Sequence, residues 1–212
     1  MRLAVFGATG ATGKRLIELA LAAGNNVVAF ARNTSRIGQG QERLLIIQGE
    51  LTDAAAIERA VNGADAVISL LGPRPRENLK SRPLSMGMKN IIAAMTKCHT
   101  RRLIISSTPS AADPNDLPDF RIKVLITIVK SIMRPAYEEI LNVARIVRES
   151  DTDWTIARVS LLNNKPRSGR VRAGYLGRKQ VGTSISRADL AAFLLEQARD
   201  TSWVRQAPAI SN

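Results

Sequence analysis

Apolar and polar positions along this 212-residue chain fall into alternating blocks of two kinds. The short run Leu3-Ala4-Val5-Phe6 stops at Gly7-Ala8-Thr9-Gly10-Ala11-Thr12-Gly13 and reads as a strand buried on both faces. Leu16, Ile17, Ala20 and Ala23 then follow helical spacing, and Gly24 can end that helix. A second apolar run, Val27-Val28-Ala29-Phe30, closes on Arg32. Further strands are predicted over 44–48, 66–71, 103–106 and 154–157, and further helices over 54–61, 84–98 and 137–150. Asp53 is the expected N-cap of the 54–61 helix, and Ser186-Arg187-Ala188-Asp189 opens a helix running to Arg199. Pro109, Pro114 and Pro118 make 107–119 a long loop. Residues 120–133 form an apolar helix flanked by Arg121, Lys123, Lys130 and Arg134 and broken at Pro135. A lid or dimer-packing helix is the preferred reading there, ahead of a membrane-surface one.

Strands alternating with helices imply an α/β fold, a doubly wound parallel sheet of Rossmann type, with a small C-terminal elaboration on the substrate side. The first block gives this layout a chemical meaning. Strand, glycine turn, helix, strand and a charged residue at the second strand's tip make a dinucleotide-binding unit. Gly7 allows the tight turn, Gly10 lets phosphate approach the backbone, and Gly13 brings the helix close to the strand. The helix N-terminus supplies orphan N–H donors and a favourable dipole, and Thr9 and Thr12 can add hydroxyls. The alternative is a purely structural glycine turn. NAD sites usually carry an acidic residue at the second strand's end to grip the ribose 2′-hydroxyl. Here Arg32 stands there, followed by Asn33-Thr34-Ser35-Arg36. Guanidinium groups suit a 2′-phosphate, and each charge-assisted bond contributes about 1.5–3 kcal/mol, so NADP(H) is expected over NAD(H).

Composition adjusts this picture in three ways. The length and 45% hydrophobic content allow one good core, so 1–212 is expected to be one domain. No apolar run reaches the length of a membrane span, and the lone Cys98 suits a reducing cytoplasm. Cys98 and the only histidine, His99, are too few ligands for a metal site, so no metal is expected. The net charge of +13 raises the prospect of anionic partners. Its clusters, Arg74, Arg76, Lys80 and Arg82 and then Lys165, Arg167, Arg170, Arg172, Arg178 and Lys179, follow strand-like runs, where a positive rim would attract a polyanionic cofactor or an acidic substrate. An arginine-rich solvated surface explains the charge equally well. Aromatics are only 4% of the chain and do not interleave with the basic residues, so nucleic acid is disfavoured as a partner.

Several segments in preserved order resemble the atypical short-chain dehydrogenase/reductases, and among them the biliverdin/flavin reductase (NADPH) and NmrA-like branch. They are Phe6 to Gly13, Ala31-Arg32, Ala64 to Gly72, Lys89 to Met95, Ser106-Ser107, Arg148 to Ser150 with Asp153-Trp154-Thr155, and Ile185 to Ala191. The resemblance implies that Gly7, Thr9, Gly10, Ala11, Thr12 and Gly13 hold the pyrophosphate, with Arg32 and Arg36 near the 2′-phosphate. It puts Glu50 and Leu51 by the adenine, where the branch more often has Asp. Leu71, Gly72 and Arg74 would lie by the central ribose and phosphates, and Ser106 and Ser107 would face the nicotinamide. Ser107, at the branch's hydroxyl position, is the candidate catalytic residue.

Two departures bear on the chemistry. Typical short-chain dehydrogenases use Tyr-x-x-x-Lys for proton transfer, whereas Tyr137 is followed four residues on by Leu141. After the sixth strand the branch carries Arg-Pro, and this chain has Arg158-Val159. A flavin, quinone or biliverdin-like acceptor is electron-poor and can take its proton from water, so hydride transfer to it needs no tyrosine acid. An NADP(H)-dependent reductase of a small planar acceptor, an anionic one included, is therefore one expectation. A non-catalytic NADP(H)-binding sensor of the NmrA-like type is the other. The oligomeric state is left open between monomer and homodimer.

Overall fold

The computed structural model describes residues 1–38, 40–73, 83–178 and 181–212, without the side chains of Arg121 and Leu125. Its centre is an eight-stranded sheet formed by β1 (Arg2–Phe6), β2 (Asn26–Ala31), β3 (Leu44–Gln48), β4 (Ala66–Ser69), β5 (Arg102–Ser107), β6 (Asp153–Arg158), β8 (Arg172–Gly174) and β10 (Ala209–Ser211). The spatial order is β3-β2-β1-β4-β5-β6-β10-β8, and all pairings are parallel except the last, β10 with β8. The order reverses direction at β1, which lies between β2 and β4, and a cleft opens there at the strands' carboxyl ends. β7 (Leu161–Asn163) and β9 (Ser184–Ser186) form a separate parallel pair.

Among the described residues the α-helices are α1 (Ala11–Ala22), α2 (Ala54–Val61), α3 (Pro83–Lys97), α4 (Phe120–Ile132), α5 (Arg134–Arg148) and α6 (Arg187–Glu196). Side chains alternate between two cores, as a sheet covered on both faces requires. In β1, Ala4 and Phe6 join a core with Ile57, Met88, Ile91 and Val147, on the side of α2, α3 and α5. Leu3 and Val5 point the other way, to Leu16, Ile17, Leu190 and Leu194 of α1 and α6.

The expected caps form as the residue types dictate. Asp53 accepts from the Ala56 N–H at 2.9 Å, and Ser186 accepts from the Asp189 N–H at 3.0 Å. Pro135 does not delay α5, which begins at Arg134 with the proline in its first turn, where no N–H is needed. His99, with φ of 58°, ends α3 in the left-handed conformation, leaving Cys98 half-buried in the last turn.

The C-terminal elaboration is tied together by Asp189, which is fully buried. Its carboxylate accepts from the Ser168 and Gly169 N–H groups, the Ser186 hydroxyl and the Asn212 amide. Burial alone would raise its pKa, but these donors more than offset that and bring it down to about 2. A depressed carboxyl pKa contributes stability that is full above the unfolded value near 3.8 and is lost as pH falls through about 2. Urea unfolding is expected to show about 2 kcal/mol from this group at neutral pH, shrinking progressively below pH ~4. The Asp189→Asn variant should lack that part of the acid dependence; an unchanged acid profile would contradict the assignment.

Candidate cofactor and acceptor site

The glycine turn leaves β1 at Gly7, whose φ of 82° suits glycine. A Cβ there would meet the Leu70 carbonyl carbon at 2.8 Å, so the turn packs directly against the chain leaving β4. The Gly10 N–H donates to the Gly7 carbonyl at 3.1 Å, and the first helical bond runs from Lys14 N–H to the Gly10 carbonyl. The N–H groups of Ala11, Thr12 and Gly13 therefore precede the helical ladder. No acidic side chain occupies the first turn of α1, and Gly10 provides no side-chain cap. Thr12 and Gly13 are buried, whereas Ala11 is exposed.

This turn forms one wall of a cavity of about 370 Å³. Of the residues expected at a cofactor site, Gly7, Thr9, Gly10, Arg32, Glu50, Leu51, Leu71 and Gly72 line it. Arg36 joins Thr9, Arg32, Asn33 and Glu50 in an adjoining polar hollow. The Asn33 side chain accepts from Ser35 N–H and closes the short 3-10 turn Thr34–Arg36 that carries Arg36. The Glu50 carboxylate approaches Arg32 Nε at 4.0 Å, with both side chains open to solvent. Ala11, Thr12 and Gly13, in the first turn of α1, are not among the residues that line this cavity. Arg74 lies outside the described residues, as do Arg76, Lys80, Arg82 and Lys179.

Ser106 and Ser107 line a second cavity of about 450 Å³ that shares Leu70, Leu71, Gly72 and Leu84 with the first. Ser107 ends β5 opposite Arg158, and its carbonyl accepts from Val159 N–H at 3.0 Å, which fixes its main chain against β6. Ile140, Val143, Val159, Leu161, Leu162 and Leu190 make this cavity largely apolar. Arg187 is the one charged side chain among its described lining residues, and one of its Nη atoms donates to Asn164 at 2.8 Å.

The supporting roles of two residues escaped the sequence reading. Glu139 is buried on α5 and accepts from the N–H groups of Leu84 and Ser85 and from the Ser85 hydroxyl, at 2.9, 3.0 and 2.8 Å. It thereby caps α3 from another helix and fixes Leu84 between the two cavities. No local pattern signals a cap supplied from 54 residues away. Arg158 is buried at the end of β6 and donates to both oxygens of Asp116 and to the Ala207 carbonyl. Burial would raise the Asp116 carboxyl, but Arg158 and the Asp113 and Leu176 N–H groups hold it below its ordinary value.

Comparison with known proteins agrees with this fold. The profile of the NAD(P)H-binding family matches residues 7–201. A short-chain dehydrogenase/reductase from Veillonella parvula in complex with NADP superposes with a TM-score of 0.81 at 19% identity, covering 100% of this chain and 94% of the other. An anaerobilin reductase from Escherichia coli O157:H7 gives 0.79 at 22% identity, covering 100% and 97%. At these identities the likeness is one of fold. An uncharacterized protein of Mycobacterium bovis is 32% identical over 108 residues, 51% of this chain but only 12% of that protein's length. With the family profile spanning nearly its whole length, the chain belongs to the NAD(P)H-binding family, and its fold is of the Rossmann type.

Proposed function

We propose that the protein is an NADPH-dependent reductase that passes hydride to a planar, electron-poor acceptor such as a flavin, a quinone or a biliverdin-like tetrapyrrole. The observation that carries this reading is the continuity of the two cavities through Leu70, Leu71 and Gly72, with the glycine turn at one end and Ser107 at the other. The residues present fit the dinucleotide: the wall built by Gly7, Gly10 and Gly72 leaves backbone accessible, and a Cβ at Gly72 would meet nothing within 4 Å. The N–H groups of Ala11, Thr12 and Gly13 would hold the pyrophosphate, assisted by Thr9. Arg32 and Arg36 would hold the 2′-phosphate, with Glu50 the one carboxylate among the described residues lining that hollow. Leu51 would pack beside the adenine.

Bound NADPH would supply the hydride, so the chain's own work is positioning and exclusion of water. The Ser107 hydroxyl would donate to the nicotinamide amide or to the acceptor and set their relative orientation. The apolar walls from Ile140, Val143, Leu161 and Leu162 suit a flat conjugated ring. Arg187 suits an anionic group on that ring. The Arg187→Gln variant is therefore expected to raise KM about tenfold for a carboxylated acceptor. A neutral quinone should be affected by less than about twofold. Equal effects on both acceptors would remove Arg187 from substrate recognition.

The decisive experiment is NADPH oxidation by the purified protein across a panel of flavins, quinones and biliverdin. Steady turnover with at least one is expected. Tight NADPH binding with no oxidation across the panel would instead favour the second reading, a redox sensor. The Leu141 that stands where a short-chain dehydrogenase carries lysine is compatible with that alternative.

A further inference from the structure

We propose that α4 seats the protein on the surface of an anionic membrane. Phe120, Val124, Ile128 and Ile132 recur every four residues along α4, and all four are exposed, Phe120 by 80% and Ile132 by 76%. Met133 extends this apolar surface at one end and Leu117 at the other, both about half exposed. The partly buried positions Ile122, Ile126 and Val129 occupy the opposite face, and α4 packs chiefly on α5. A contiguous apolar stripe of this extent marks an interaction surface rather than scattered exposure.

The charges around the stripe select the occupant. Lys123 and Lys130 are exposed and seven residues apart, which places them on the same flank of the helix. Arg134 follows, exposed, at the start of α5, with Glu138 beside it at 2.9 Å. α4 itself contains no acidic residue, and the chain carries a net charge of +13. A second copy docking stripe to stripe would bring cations against cations. Anionic headgroups complement the lysines while the stripe enters the acyl boundary. The helix has 13 residues and is about 20 Å long, shorter than a ~30 Å hydrocarbon core, so it lies along the surface. Among the described residues, none of α4 lines either cavity, so this geometry gives no support to a lid. This surface is independent of the reductase reading.

The test is flotation of the full chain with phosphatidylcholine vesicles with and without phosphatidylglycerol. Binding to the anionic vesicles alone is expected. A Phe120→Ser, Ile128→Ser double variant keeps the charge and alters exposed positions only. Its affinity should fall at least about tenfold with unchanged circular dichroism. A Lys123→Gln, Lys130→Gln double variant should lose about thirtyfold. Wild-type flotation by the apolar variant would reduce the interaction to general charge and overturn the proposal. Absence of flotation, or equal flotation on neutral vesicles, would overturn it as well. A solution dimer that the apolar variant dissociates would assign the stripe to a second copy instead.

Discussion

Replacing Gly13 by alanine is expected to weaken NADPH binding by about a hundredfold or more, the equivalent of two lost charge-assisted hydrogen bonds. The added methyl would fall inside contact distance of the Gly7 carbonyl oxygen and 3.0 Å from the Ala8 Cα and carbonyl carbon. These are main-chain atoms of the glycine turn, which sits beside the Leu70 N–H to Phe6 carbonyl bond joining β4 to β1. The turn therefore cannot yield without disturbing the strand edge, and the first turn of α1 must move away instead. That displacement would carry the N–H groups of residues 11–13 away from the proposed phosphate position. Overpacking of this kind also costs about 1–3 kcal/mol of stability, so melting and binding should be measured together. A folded variant with wild-type affinity would show that the turn is only structural.

The second large effect concerns stability. Arg158→Ala is expected to lower it by about 3–5 kcal/mol, because a buried pair broken on one side leaves the other charge poorly compensated. The Arg158 side chain is 0% exposed and that of Asp116 14%. Arg158 bonds the two Asp116 oxygens at 2.5 and 2.7 Å and the Ala207 carbonyl at 2.6 Å. Asp116 in turn accepts from Leu176 N–H at 2.9 Å and Asp113 N–H at 2.8 Å. One ion pair thus joins β6, the proline-rich loop after β5, the segment after β8 and the approach to β10. The melting temperature should drop by roughly 10 °C. Lysine cannot reproduce the guanidinium fork, so Arg158→Lys should recover only part of the loss. A shift of less than about 2 °C for Arg158→Ala would show that the pair contributes little.

The elements that sequence made legible are those whose signal is local. Asp53 and Ser186 are caps because their side chains reach N–H groups three residues on, and both helices start where those residues predict. The parallel strands are legible because burial on both faces leaves nearly unbroken apolar runs. Signals weaken where structure depends on distant partners. β7, β8, β9 and β10 are three residues each, too short for periodicity, and exist through pairing with segments remote in sequence. Glu139 and Arg158 look like an ordinary helix acid and an ordinary strand-end base until folding brings Ser85 and Asp116 to them.

The same division runs through the candidate site. The glycine turn and Arg32 belong to one βαβ unit and could be read together. Their junction with Gly72 and Ser107 depends on the crossover that sets β4 beside β1 and β5 beside β4. The Glu50 carboxylate near Arg32 is a further tertiary fact. It tempers the positive field at the hollow that Arg32 and Arg36 line.

The recognition of a phosphorylated dinucleotide is tested most directly by titrating the purified protein with NADPH and with NADH at the same ionic strength. Tighter binding of NADPH by at least about tenfold is expected from one charge-assisted phosphate contact. Equal affinity for the two would contradict the role assigned to Arg32 and Arg36.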